Sequence, residues 1–483
     1  MRAPRRCTLP GLACAAALLA GCTIPVAKAP APTLSVPAAW RSTAPIGPRS
    51  ATRVEANWWR SFGDPALDRL VDLALANNAD VRIAGSRLQE YQARQRIVHA
   101  SELPSLDAAL NPGRARQIGP FGAPVDATLF EGNLQASYEV DLFGTRARST
   151  DAARLDYATQ KAIVAATRLS VAATTASGYL ALRGLDAQLE LARATLASRR
   201  SSLALAQRQF AVGYSSALEV AQSQAELRAT AGVVPQLERA ITEQENALNV
   251  LTGANPGPIA RGAELAALQA PAIEPGLPSA LLRRRPDVAA AERAVAASDA
   301  SLAVARDQML PSVRLTASLG GYAGSLATLL SSPYGLWSAG GSILAPLFDG
   351  GRLRAEADIS ATARDRAIFS YEAAVRSAFA DTENALTAVQ RLREQLDQAD
   401  ARRVATEAAL RIAHDRYSNG YSSYLEELDA QRNAFSAETA VLQLRENWLA
   451  AHVALYRALG GGWDQDTVEG KPRSAAAAAA GAP

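Results

Sequence analysis

The property that most limits how this chain can fold is that it repeats itself. Sliding the sequence along itself by 207 residues lays Asp80-Val81 on Asp287-Val288 and Pro104-Ser105 on Pro311-Ser312. The same shift lays Gly213-Tyr214-Ser215-Ser216 on Gly420-Tyr421-Ser422-Ser423, and Leu218-Glu219 on Leu425-Glu426. A shift of 206 pairs Gly144, Arg146 and Arg148 with Gly350, Arg352 and Arg354, a one-residue difference in an intervening loop. One offset held over such a span marks a duplication, with repeat 1 at residues 58–265 and repeat 2 at 266–465. Whatever one half builds, the other must build again in the same order.

Each half opens with a helical pattern. Residues 67–99 space Leu70, Leu73, Ala74, Ile83 and Leu88 at helical intervals, and Pro104 ends the run. Leu106, Ala108 and Leu110 then alternate with Ser105, Asp107 and Ala109. A Gly- and Pro-rich stretch from Asn111 to Pro124 predicts a loop. After it, Leu134, Ala136, Tyr138, Val140 and Leu142 alternate with Gln135, Ser137, Glu139 and Asp141, giving a strand with one apolar and one polar face. From about Arg146 to Phe210 the pattern is helical again, on the order of 90 Å at 1.5 Å per residue. Repeat 2 follows suit, with a helix opening at Pro286, a strand alternating Val313, Leu315, Ala317 and Leu319, a weaker fourth strand from Trp337 to Leu347, and a long helix from about Arg354 to Tyr417. Both long helices end alike. Gly213 and Gly420 stand where a left-handed residue stops a helix, and Ser216 with Glu219, and Ser423 with Glu426, supply capping boxes for the next. Tight αα-hairpins follow, closed by helices running to about Leu251 and Leu459.

The N-terminus carries an address. Arg2, Arg5 and Arg6 precede an apolar run from Leu9 to Leu19, and Leu19-Ala20-Gly21 stands before Cys22. This predicts a lipoprotein signal peptide over 1–21, cleaved so that Cys22 becomes the acylated N-terminus. Three acyl chains, at roughly 0.8 kcal/mol per buried methylene, suffice for stable anchoring. Thr23 follows the anchor where an Asp would signal inner-membrane retention, so outer-membrane sorting is expected. Residues 22–57 read as an extended, lipid-anchored tether rich in Pro, Ala and Thr, and 466–483 as a disordered Ala-rich tail.

Composition narrows the chemistry. With 50 Lys plus Arg against 47 Asp plus Glu, no basic excess supports a nucleic-acid partner. All 3 cysteines lie in the first 22 residues, and His99, His414 and His452 are far apart. A disulfide framework, a metal site and His-dependent catalysis are therefore not expected, nor is any cofactor. No phosphate loop, dinucleotide fingerprint or hydrolase motif occurs, so an enzyme is not expected either. After Cys22 no stretch offers about 18 consecutive apolar residues, which excludes a helical span by length. Alternating strands of roughly ten residues suit a transmembrane barrel, but four cannot close, since small barrels need about eight. The open edges must pair with other copies of the chain.

The segments Arg284-Arg285-Pro286-Asp287-Val288, Met309-Leu310-Pro311-Ser312, Phe348-Asp349-Gly350-Gly351-Arg352 and Tyr424-Leu425 through Leu428-Asp429-Ala430-Gln431-Arg432 resemble those of the TolC-like outer membrane efflux factors, nearest the lipid-anchored OprM/NodT-type subgroup. That resemblance implies an α+β membrane protein. Four transmembrane strands per chain contribute to a trimeric 12-stranded barrel, and long hairpins form a periplasmic helical barrel. The implied partners are the chain itself as a homotrimer, a periplasmic adaptor (membrane fusion) protein, an inner-membrane pump of the resistance-nodulation-division class and outer-membrane lipid. The implied role is a passive exit duct for small solutes. An exit duct for type I protein secretion is the alternative, and a pore-free coiled-coil lipoprotein leaves the polar strand faces unexplained.

The resemblance also implies a periplasmic gate at Leu425, Asp429 and Arg432, which helical spacing puts on one face. Symmetry brings one Leu and one carboxylate per chain toward the axis, with Arg432 the nearest cation. Repeat 1 has Leu218, Gln222 and Ala225 at the equivalent positions, so only the second hairpin carries the charged pair. The hairpin tips at Gly213, Ser216, Gly420 and Ser423 are expected to meet the adaptor.

Overall fold

The computed structural model describes residues 30, 33–42, 54–118, 120–270, 273, 276–331 and 335–463. Cys22, the leader, much of the tether and the Ala-rich tail lie outside the described residues. The duplication is visible in the element order. Helices α1 (Pro65–Asn77) and α2 (Ala79–Ala100) lead into strands β1 (Ser105–Ile118) and β2 (Pro124–Val140), then the long helix α3 (Thr145–Ala211) and its partner α4 (Ala217–Thr252). Repeat 2 gives α5 (Pro278–Arg284), α6 (Pro286–Asp307), β3 (Ser312–Ala323), the short α7 (Leu326–Ser331), β4 (Leu336–Leu344), α8 (Arg352–Ser418) and α9 (Tyr424–Ala458). No helix among the described residues is long and apolar enough to cross a membrane. The chain divides into two compact units, each drawing on both repeats. One gathers residues 91–157 and 292–370, the other 34–90, 158–291 and the chain from 371 onward.

The first unit holds an antiparallel sheet in the order β1-β2-β3-β4. The predicted loop at 111–124 is largely strand, for β1 runs to Ile118 and β2 starts at Pro124. Cross-strand pairing overrides the Gly and Pro content. Pro112 stands on β1, the first strand of the sheet within one chain, opposite Phe130. Each sheet-to-helix corner is closed by an aspartate. Asp141 accepts from the backbone N–H of Arg146 (3.2 Å) and Ala147 (3.0 Å) at the start of α3, and Asp349 from Gly351 (2.9 Å) and Leu353 (2.8 Å) at the start of α8.

The second unit contains the main apolar core. Trp58 stacks on Tyr456 with ring centroids 5.0 Å apart, and Phe62, Leu67, Leu180, Leu248, Leu386 and Leu455 are buried around them. The helix expected over 67–99 breaks at Asn78, whose Oδ1 accepts from the N–H groups of Asp80 (2.9 Å) and Val81 (3.3 Å) and so caps α2. Asp64 is fully buried. It caps α1 through Ala66 N–H (2.8 Å) and also accepts from Tyr179 Oη (2.7 Å) and Ala263 N–H (3.1 Å), tying the inter-repeat segment to α3. Burial and this carboxylate raise the Tyr179 phenol well above its usual pKa. Within the stretch read as a bare tether, residues 33–42 are held. Trp40 is buried, its Nε1 donates to Gly276 O (2.8 Å), and Glu383 accepts from the N–H of Arg41 (3.1 Å) and Ser42 (2.9 Å).

Candidate functional site

Two places carry the functional readings: the sheet and the hairpin ends. In the sheet the register sorts side chains into rows. Val140, Val313 and Ile343 make one row, and Tyr138, Leu315 and Gly341 the next. Leu106, Ala136, Ala317 and Ala339 follow, then Ala108, Leu134, Leu319 and Trp337, then Leu110, Gly132 and Gly321, then Pro112, Phe130 and Ala323. No charge interrupts this face. Trp337 on it is 78% exposed within one chain, and Leu329 of α7 stands over Gly132, where a Cβ would come within 3.1 Å. From Val140 to Phe130 the strand rises about 34 Å, or about 26 Å along the barrel axis at a tilt near 40°, which matches the roughly 25 Å apolar band of an outer-membrane barrel.

The opposite face is largely polar. Its rows are Glu139, Arg314 and Ser342, then Ser105, Ser137 and Thr316, then Asp107, Gln135, Ser318 and Ser338, then Ala109, Asn133 and Leu336, then Asn111, Glu131 and Tyr322, with Ser312 opposite Leu344 at the helix end. Hydroxyls bridge neighbouring strands, with Ser105 and Ser137 2.9 Å apart and Ser318 and Ser338 2.8 Å apart. Glu139 accepts from Arg146 (2.5 Å) and lies 3.7 Å from Arg314. Glu131, Asn133, Gln135, Thr316 and Ser318 line a hollow on this side. A sheet apolar on one face and largely polar on the other fits a wall between lipid and water.

At the hairpin ends both glycines are left-handed, Gly213 at φ 82° and Gly420 at φ 78°. Each closes a six-to-one bond. Tyr214 N–H donates to Gln209 O (2.8 Å) and Tyr421 N–H to Arg416 O (2.8 Å), the Schellman pattern around the left-handed glycines expected at these two stops. The caps differ. Ser216 Oγ accepts from Glu219 N–H at 3.3 Å, whereas Ser423 makes no side-chain cap bond, and Glu426 turns to Arg416 at 3.3 Å.

Leu425, Asp429 and Arg432 share the exposed face of α9, with Leu425 60% exposed. Within the chain Arg432 does not bond to Asp429. Its Nε donates to Glu226 Oε1 on α4 (2.8 Å), and Nη2 contacts the same oxygen. Asp429 instead accepts from Asn433 Nδ2 at 3.0 Å. Behind Arg432 lies a buried polar cluster that sequence reasoning missed. Arg199 of α3, only 4% exposed, sits 3.8 Å from Glu226 and donates to Gln431. Gln431 donates to buried Glu427 (2.8 Å), which His414 Nδ1 also meets at 3.0 Å. Burial lowers the Arg199 pKa, while the Glu226 bond raises that of Arg432. One signal was present in the sequence. Tyr424, Glu427, Leu428 and Gln431 share one helical stripe, which places two polar groups among buried ones.

The comparisons agree with this geometry. The family model described as "Outer membrane efflux protein" matches twice, over residues 70–254 and 277–461. The chain is 34% identical to the pyoverdine export outer membrane protein OpmQ of Pseudomonas putida, covering 90% of this chain and 94% of that protein. It is 33% identical to the antibiotic efflux pump outer membrane protein ArpC of the same species, covering 95% and 96%. Among solved structures, the Campylobacter jejuni CmeC outer membrane channel superposes with a TM-score of 0.84 at 26% identity, covering 92% of this chain and 97% of that one. The outer-membrane channel OprN gives 0.80 at 31%, covering 92% and 100%. The fold is thus that of the trimeric TolC-like channels, four strands per chain in a shared barrel continued by long helical hairpins. The chain belongs to the outer membrane efflux protein family and is an exit duct of the outer membrane.

Proposed function

We propose that this duct works in a tripartite system, as a homotrimer joined through a periplasmic adaptor to an inner-membrane pump of the resistance-nodulation-division class. It conducts small toxic solutes passively and performs no chemistry on them. The observation that carries this reading is the sheet's division into one uncharged apolar face and one hydroxyl- and amide-lined face, on strands that one chain cannot close. Relatives named for pyoverdine export, antibiotic efflux and toluene efflux support small solutes over secreted proteins. Acylation at Cys22 would hold the trimer to the outer membrane from the periplasmic side. The gate is Leu425, Asp429 and Arg432, and the tips at Gly213, Ser216, Gly420 and Ser423 meet the adaptor. Conductance of the purified protein in a planar bilayer tests the duct. A stable trimer with ion-permeable steps is expected, and a stable trimer that never conducts, even after gate substitutions, would overturn the reading.

A further inference from the structure

Above the row of Pro112, Phe130 and Ala323, strand β3 has ended and β1 and β2 continue alone as a two-stranded arm. The register is unbroken, from Ser105 opposite Ser137 to Ile118 opposite Pro124. No bulge intervenes, so the two faces have not exchanged. Their polarity has. The face that is apolar within the band now carries Arg114 opposite Thr128 and Arg116 opposite Asp126, the last two 3.5 Å apart, before it ends on Ile118 opposite Pro124. The face that is polar within the band now carries Gly113 opposite Leu129 and Ala115 opposite Ala127, with Val125 opposite Gln117 next along it.

An apolar face is out of place above a water-filled mouth unless something covers it. Nothing among the described residues of the same chain does, for Leu129 is 39% and Val125 51% exposed, and α7 sits on the other face of the sheet. Phe121, in the turn at the arm's end, is 97% exposed. The outward face is covered well enough by water or lipid headgroups, since it is charged. The inward face asks for an apolar partner that is always present at the mouth.

We propose that this partner is the same face on the other copies of the chain. The three arms of the trimer lean together through Val125, Ala127 and Leu129, with Phe121 at their tips, and form an apolar constriction over the outer mouth. The reach is sufficient. From Phe130 to Pro124 the arm extends about 20 Å, whereas twelve strands spaced about 4.8 Å apart and tilted near 40° close at a backbone radius of roughly 12 Å. The meeting faces hold no ionisable residue, so no charge is buried, and Arg114, Arg116 and Asp126 stay in water. An apolar ring of this kind resists wetting, which hinders solutes entering from outside until outward flow parts the arms.

The test uses single cysteines in the full-length trimer reconstituted in liposomes, with the unsubstituted protein as the control for Cys22. Leu129→Cys and Val125→Cys are expected to give disulfide-linked dimers on mild oxidation, in at least tenfold greater yield than Arg114→Cys and Thr128→Cys on the opposite face. Equal cross-linking from both faces would overturn the proposal. So would an introduced thiol, in either Leu129→Cys or Val125→Cys, that stays uncrosslinked and reacts freely with a membrane-impermeant maleimide, because the arms would then stand open in water. A thiol reached only by a lipid-soluble reagent would also overturn it, placing the arms against the bilayer instead.

Discussion

Residue by residue, the most consequential side chains are those whose charge is kept away from water by a named partner. Arg199 is nearly fully buried and depends on Glu226, which also holds Arg432. Glu226→Gln leaves a buried cation without its carboxylate, and a loss of about 1–3 kcal/mol is expected, seen as a lower melting midpoint by circular dichroism. Arg239→Ala, which breaks the exposed pair with Glu243, is the contrast and should cost no more than about 0.5 kcal/mol. If the two variants melt together, the cluster is not a structural tie. His452 gives a pH signature. It is buried against Trp448, donating to that residue's carbonyl at 2.8 Å, and burial holds its pKa below the usual histidine value. The folded state therefore prefers the neutral ring. Its contribution is fully present above the unfolded pKa of about 6.5 and is lost as pH falls below it. His452→Gln should flatten the fall of the melting midpoint between about pH 6.5 and 5 relative to the unsubstituted protein. An unchanged slope would assign the acid sensitivity elsewhere.

For the elements, the tips offer a comparison the duplication itself supplies. Ser216 caps α4 with a side-chain bond and Ser423 makes none to α9, although their sequence signatures are the same. Ser216→Ala should cost about 1 kcal/mol and Ser423→Ala a few tenths at most, read as faster amide exchange in the first turn of α4 only. Equal effects would mean that the caps are equivalent in solution. The same contrast shows what was legible beforehand. The long helices, the hairpin stops and strands β2 and β3 within the band follow from local spacing, because period and turn chemistry are written in adjacent residues. The upper arm was not legible. Its Gly and Pro content reads as loop, and its inverted polarity makes sense only once the register shows which residues face each other. The Arg199 cluster was hidden for a related reason, since Glu226 and Arg432 stand 206 positions apart and nothing local links them. Trp40 was missed because scattered apolar residues in a Pro- and Ala-rich run have no period to reveal them.

As a whole molecule, the duct has two proposed closures, the arms at the outer mouth and the gate on α9. Arg432 is held by Glu226 of its own chain and also feels the charge of Asp429, so in the proposed gate Asp429 and Glu226 share one cation and Leu425 would supply the dry closure. Replacing Asp429 and Arg432 together by Ala removes the carboxylates and also frees α9 from α4. The trimer and Cys22 should be unaffected, and single-channel conductance without the pump should rise. Resistances in series set how far. With the arms still closed, the opened gate reveals only the resistance that remains at the mouth, and Leu129→Gln alone reveals only that of the gate. Combining Leu129→Gln with Asp429→Ala and Arg432→Ala should raise conductance by more than the sum of the two separate increments, because each constriction masks the release of the other. Increments that simply add would mean that the two sites do not lie on one conduction path. A gate variant that already reaches full conductance would mean that the arms impose no barrier to ions.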